Sequence, residues 1–147
     1  NIRWQAAYKL LSYNISSKLK PFDFRDPFGV QCTILGDLNK EGDPNIRVEA
    51  NIKNNELSYF DHKVTDCSFK GVFTNEYQKN KGVSDENSAI LLDDFRGKVH
   101  SIPFTTKKMM ILDLKKQTQY LMQRILEYIL NLASFGLHCH CQIKFAI

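Results

Sequence analysis

The sequence lacks a long hydrophobic run, an internal repeat and a low-complexity tract. Its apolar stretches fall short of the ~18 consecutive residues that a membrane-spanning helix needs. No signal peptide is visible, and the chain begins with Asn1 rather than Met. We therefore expect no transmembrane segment and a single domain over residues 1–147, which is compatible with a fragment of a larger protein.

Cysteine is also scarce, and its spacing is irregular. Four cysteines in such positions do not provide the disulfide framework of a small secreted protein. Cys139 and Cys141 alternate with His138 and His140, and neighbouring strand residues point to opposite faces, so these four side chains do not converge on one metal ion. We expect both cysteines to be reduced and buried. The alternative is a disulfide or a zinc site, in which Cys32 or Cys67 would join Cys139 and Cys141, or outside ligands would join His138 and His140. This usage favours an intracellular location, in the cytoplasm or the nucleus.

The familiar catalytic motifs are missing as well. The sequence has no phosphate-binding glycine loop, no Gly-x-Ser-x-Gly and no metalloprotease motif. Cys32 or Cys67 with one of the four histidines would make a thiol–imidazole pair, but no spacing selects a pair, and an inert buried cysteine is the preferred interpretation. We expect no enzymatic activity and no cofactor.

Alternating apolar and polar residues, in contrast, are plentiful. Residues 28–35 and 46–53 alternate regularly, which predicts two strands, the second with one wet face. Asn54 and Asn55 predict a tight hairpin between strands, because asparagine tolerates positive φ. Further strands are predicted over 57–60, 67–73, 98–104 and 108–112.

Apolar residues at helical spacing predict helices at both ends of the chain. Residues 2–19 favour an amphipathic helix, with a strand as the alternative, and residues 84–96 favour a short helix. Asp113 suits the N-cap of a long helix that ends at Gly136 and precedes a closing strand over 137–147. The predicted fold class is α+β: a mainly antiparallel sheet of about six or seven strands with an N-terminal helix and a long C-terminal helix followed by the closing strand.

One loop resembles the beginning of a calcium-binding EF-hand loop. Asp37, Asn39, Glu41 and Asp43 place oxygen ligands at alternate positions, with a glycine at the sixth. Val48 stands where the bidentate glutamate belongs, and strands rather than helices flank the loop. A plain connecting loop is therefore preferred, and a weak calcium site is the alternative.

The leading functional hypothesis is a non-enzymatic module for protein–protein interaction or assembly. Ile143, Phe145 and Ile147 alternate along the closing strand and run to the end of the sequence. An apolar terminal strand offers an edge to which another protein or a second copy of the chain can pair.

Two alternatives rest on the basic residues, since the net charge is +4. Aromatic side chains beside lysines on a sheet can bind single-stranded nucleic acid by stacking on its bases. The same lysines also suit an anionic membrane or a lipid headgroup. The candidates for both alternatives are Tyr59, Phe60, Lys63, Lys70, Lys79, Lys81, Lys115 and Lys116.

Overall fold

The structure is a computed structural model that describes residues 1–36, 43–112, 114 and 139–145. Its helical part is short and N-terminal. It comprises α1 (Trp4–Ala7), a 3-10 turn (Tyr8–Leu10) and α2 (Tyr13–Leu19). The strands are β1 (Phe22–Phe24), β2 (Gly29–Leu35), β3 (Asn45–Tyr59), β4 (His62–Thr74), β5 (Ala89–Val99), β6 (Ile102–Leu112) and β7 (Cys139–Phe145), with a second 3-10 turn (Lys79–Lys81) between β4 and β5.

All seven strands belong to one sheet in the order β1-β3-β4-β5-β6-β7, and β2 also pairs with β3. Strand β3 is fifteen residues long, which allows it to pair with two strands along the same side. Its first part pairs with β2 from Asn45 to Asn51, and its last part pairs with β1 from Leu57 to Tyr59. Neighbours from β3 to β6 are antiparallel, whereas β7 is parallel to β6.

A line of left-handed residues crosses the middle of the sheet. Asn54 in β3, Asp66 in β4 and Asp94 in β5 have φ of 47°, 51° and 52°. The register of β3 with β4 shifts beside Asn54, and that of β4 with β5 shifts beside Asp66. Asparagine and aspartate are the non-glycine residues that tolerate this conformation best. Because a bulge bends its strand and increases its twist, this bulge line curves the sheet.

Asn55 lies in β3 between the part that pairs with β2 and the part that pairs with β1. Its side chain is buried, its Oδ1 accepts from the Asp26 amide at 3.0 Å, and its Nδ2 donates to the Asp26 carbonyl at 2.8 Å. The Oδ1 also accepts from the Glu56 amide at 2.8 Å. One side chain thus links β3 to the connection between β1 and β2, at the point where β3 pairs with neither strand.

The core lies between the inner face of the sheet and the N-terminal helices. Two clusters of buried side chains fill it, one around Ile15, Val64 and Phe104 and the other around Ala7, Phe24 and Ile52. Phe24 is in edge-to-face contact with the Trp4 ring, with centroids 5.3 Å apart. These contacts attach the N-terminal segment to the sheet.

The predicted continuous helix over residues 2–19 is wrong, because the chain is extended at Leu11 and Ser12 between the 3-10 turn and α2. The Asp85 carboxylate explains the break. It accepts from Ser12 Oγ at 2.9 Å and from Asn14 Nδ2 at 3.0 Å, which holds the start of α2 on the loop before β5. Local apolar spacing did not reveal this long-range polar attachment.

The predicted fold class is also wrong. The described residues form a mostly antiparallel sheet with two short α-helices, both N-terminal, and no long C-terminal helix is among them. Leu114, the first apolar residue of the predicted long helix, is in a turn and belongs to the core cluster on the sheet. Asp113 and residues 115–138, which carried the rest of that prediction, lie outside the described residues.

Three local predictions in the middle of the chain are wrong too. The strand predicted over 98–104 is divided by a turn at His100 and Ser101, with β5 ending at Val99 and β6 beginning at Ile102. Residues predicted as a helix over 84–96 form most of β5 instead, where Ile90, Leu91 and Leu92 follow one another without alternation. A strand with apolar side chains on both faces lacks the alternation of apolar and polar residues by which strands are recognised in a sequence. The expected hairpin at Asn54 is a bulge, and β3 turns only after Tyr59.

We predict that Asn55→Ala destabilises the protein. The substitution removes three hydrogen bonds of a buried side chain, and each intramolecular hydrogen bond contributes about 0.5–1.5 kcal/mol net. Urea denaturation measures the change in the free energy of unfolding. Asn51→Ala, at an exposed position of the same strand, is the control and should change it by less than about 0.5 kcal/mol. Equal effects of the two substitutions would show that the hydrogen bonds of Asn55 do not stabilise the fold.

Candidate functional site

The most distinctive feature of the described residues is an apolar cavity of about 540 Å³ between the N-terminal helices and the inner face of the sheet. Trp4, Ala7, Leu11 and Ile15 form its helical wall. The sheet contributes inward-facing residues of β2 to β6. They include Val30, Val48, Ala50, Ile52, Phe69, Gly71, Phe73, Ile90, Leu92, Phe95, Met109 and Ile111.

Apolar and polar residues alternate along β3, so the face that it turns towards the cavity is apolar. Val48, Ala50 and Ile52 face inwards, whereas the intervening Glu49 and Asn51 are exposed. Because bulges bend the strands that contain them, we infer that the bulge line curves this apolar face away from the helices.

The two smallest side chains of the sheet wall lie next to each other in the cavity. Ala50 is the cross-strand partner of Gly71, and both belong to the lining. Their flanking pairs, Ile52 with Phe69 and Val48 with Phe73, are much larger. The space beside Gly71 is occupied by its neighbours, since a Cβ added there would come within 3.2 Å of the Phe69 ring, so Ala50 is the small residue of the pair that leaves room in the lining.

Trp4 is the only tryptophan of the chain, and it lines the cavity. Its ring lies 5.8 Å from that of Tyr8 and 6.3 Å from that of Phe28, measured between centroids. The indole Nε1 is buried and has no hydrogen-bond partner among the described residues. A buried donor without an acceptor is costly, so the lining includes a polar group that an acceptor would satisfy.

The polar lining residues come from α2 and from the beginning of β4. They are Ser17, Lys18 and His62, and His62 pairs across the strands with Tyr59. The Lys18 ammonium donates to the Leu114 carbonyl. Burial raises the pKa of the Tyr59 hydroxyl. The arrangement gives an extensive apolar wall with a few polar groups, which suits an amphipathic molecule rather than a polar substrate.

The predicted nucleic-acid candidates occupy different environments. The side chain of Tyr59 is only 5% exposed and lies in the core, whereas Phe60, at the turn after β3, is 62% exposed. Lys63 donates to Glu56 Oε1 at 3.0 Å, so its charge is already paired. Of these three, only Phe60 offers an open ring to a base.

The remaining basic candidates lie on separate elements. Lys70 is exposed on the outer face of β4, where its cross-strand neighbours are Asn51 and Asp93. Lys79 and Lys81 are in the second 3-10 turn, whose loop is held by Asn87. Lys115 and Lys116 lie outside the described residues.

The calcium and edge candidates are described only in part. Asp43 is exposed, and Asp37, Asn39 and Glu41 lie outside the described residues. Within the described part of the chain, no group of three or more potential metal ligands comes together. Ile143 and Phe145 are in β7, with Met109 and Ile111 of β6 as their parallel partners, and Ile147 lies outside the described residues.

The two cysteines whose side chains are described have opposite environments. Cys67 is completely buried, and burial raises the pKa of its thiol to about 12 from an ordinary value of 9.0. Cys32 is exposed on β2. A nucleophilic cysteine needs a lowered pKa, so the environment of Cys67 opposes a role in a thiol–imidazole pair.

We predict a large difference in reactivity between these thiols in the folded protein. With a pKa of about 12, on the order of one Cys67 thiol in ten thousand is ionised at pH 8. Iodoacetamide should alkylate Cys32 quickly and Cys67 only after unfolding, with peptide mass spectrometry reporting each site. Rapid native alkylation of Cys67 would contradict the core packing described here.

Among the described residues, no helix has the length and apolar character to cross a bilayer. No protein-family model, curated protein sequence or solved structure matches the chain. The cavity and the edges of the sheet are therefore the features of the described residues that bear on function.

Proposed function

We propose that this protein is a non-enzymatic binding domain for an amphipathic small molecule with a hydrocarbon chain, such as a fatty acid. The observation that carries the proposal is the cavity of about 540 Å³ with its nearly continuous apolar wall. Its size falls within the range of about 300–1,000 Å³ that is typical of small-molecule sites.

The wall explains which part of a ligand would supply the affinity. Each CH₂ group that moves from water into such surroundings gains about 0.8 kcal/mol. The wall consists mainly of aliphatic and aromatic side chains. The affinity should therefore depend more on the length of the ligand's hydrocarbon chain than on its polar groups. Several buried methylene groups are needed before this gain exceeds the entropic cost of association.

The polar lining residues suit the headgroup of the same ligand. Lys18, Ser17 and His62 all belong to the lining, and Lys18 supplies it with a positive charge. A carboxylate headgroup would be attracted to this charge while its chain follows the apolar wall. This favours an anionic amphiphile over a neutral hydrocarbon.

Other functions stay predictions. Nucleic-acid or membrane binding would draw on Phe60 and on lysines that occupy separate elements. Pairing of another protein along β7 through Ile143 and Phe145 also stays a prediction, as does an intracellular location. We propose no catalytic step, since the thiol of Cys67 is held neutral by burial.

The single tryptophan provides a direct test of the proposal. Trp4 lines the cavity, so a bound polyene fatty acid such as cis-parinaric acid should accept its excitation energy. We expect saturable quenching of Trp4 emission with one ligand per chain, and displacement by unlabelled oleic acid. The absence of saturable energy transfer would contradict the proposed function.

A cavity-filling substitution localises the site. Ala50→Phe places a ring in the middle of the cavity and should weaken binding at least about tenfold, which corresponds to about 1.4 kcal/mol. The matched control is Ala6→Phe, at an exposed position of α1. Circular dichroism verifies that both variants are folded. If both bind as tightly as the wild type, the ligand does not occupy this cavity.

A further inference from the structure

Strand β2 is an edge strand without the usual protection. It pairs with β3, and no described residue pairs with the other side of Gly29–Leu35. Its side chains are nearly all exposed, with Ile34 at 55% and Leu35 at 63%. Natural edge strands are normally protected by charged residues, by proline or by short length. The three-residue edge strand β1, which contains Asp23, follows that rule.

β2 contains no charged residue, and the adjacent part of β3 is balanced in charge. Thr33 pairs with Arg47 and Gln31 pairs with Glu49. Arg47 and Glu49 bind each other, with Nε and Oε1 2.8 Å apart. Because the whole chain carries a net charge of +4, two copies repel each other in general, and β2 is a place where they can meet without local repulsion.

We propose that two copies of this chain pair through β2, antiparallel and about a two-fold axis at Cys32. In this register Val30 of one copy lies opposite Ile34 of the other, and Gln31 lies opposite Thr33. The strand is therefore self-complementary, with apolar residues facing apolar residues and polar residues facing polar ones. A two-fold interface requires this kind of self-complementarity.

The pairing also extends the cavity wall. Val30 lines the cavity, and Ile34 is on the same face of β2, four residues further along. In the proposed dimer, Ile34 of the second copy lies beside Val30 on the inner face of the joined sheet. The second copy thus adds an apolar side chain to this rim of the cavity and covers an Ile34 that is 55% exposed in a single chain.

Disulfide trapping tests the register in the intact chain. Residues opposite each other in antiparallel strands have Cα atoms about 4.5–5.5 Å apart, within the range that a disulfide spans. Diamide, which takes up the two thiol hydrogens, should therefore join Cys32 to Cys32 of the second copy. Non-reducing electrophoresis and peptide mass spectrometry identify the linked cysteines.

The control moves the thiol along the same exposed strand. In the double variant Cys32→Ser with Ile34→Cys, the new thiols are about 13 Å apart along the proposed pair, so no dimer linked through position 34 should form. Equal linking through positions 32 and 34 would overturn the register. No linking through Cys32 in the wild type, under conditions that oxidise free thiols, would overturn the dimer.

Sedimentation velocity tests the dimer without chemistry at the cysteine. We expect the wild type to form a dimer at higher concentrations. The dissociation constant of Ile34→Lys should be at least tenfold higher, because this substitution places a charged side chain opposite Val30 of the second copy. Ile102→Lys, at an exposed position of β6, should dimerise like the wild type. A wild type that stays monomeric throughout, or an Ile34→Lys variant that dimerises as well as Ile102→Lys, would contradict the proposal.

Discussion

The curvature of the sheet depends on one backbone constraint, the adoption of left-handed φ by Asn54, Asp66 and Asp94 in three successive strands. The left-handed conformation costs conformational energy at each of these positions, and most other side chains would make this cost larger. The cost is offset locally, because Ser68 Oγ accepts from the Asn54 amide at 2.9 Å and the Asn55 side chain binds the Asp26 backbone. At Asn54 the bulge line is therefore stabilised by a polar neighbour on β4.

The apolar cavity follows from this curvature combined with the choice of side chains. A curved sheet leaves room between its inner face and the short helices, and the small side chain of Ala50 in the lining does not fill it. Trp4, Phe24 and Phe28 pack together at one side and attach the N-terminal segment. The proposed ligand site is thus a consequence of how the sheet bends, and the proposed pairing of β2 extends the same inner face.

The sequence predicted those elements whose signal is local. The alternation over 28–35 and 46–53 corresponds to β2 and the first half of β3, and the positive φ expected near Asn54 is present. The positive φ produces a bulge rather than a hairpin because Asn55 and Ser68 act across distant parts of the chain. The cavity was not predicted, since Ala50 and Gly71 become neighbours only through the register of β3 with β4. The candidate lysines, which are scattered in the sequence, lie on β4 and on a 3-10 turn where they are described.

Solution NMR of the backbone tests the central claim, the bulge line, most directly. Couplings that report φ, together with cross-strand nuclear Overhauser effects, define the ladder between β3 and β4. The account predicts positive φ at Asn54, Asp66 and Asp94, with regular pairing of Ile52 with Phe69 and of Leu57 with Val64 but an interrupted ladder between them. Negative φ at these positions with an unbroken ladder would mean a flatter sheet and would remove the physical basis of the cavity.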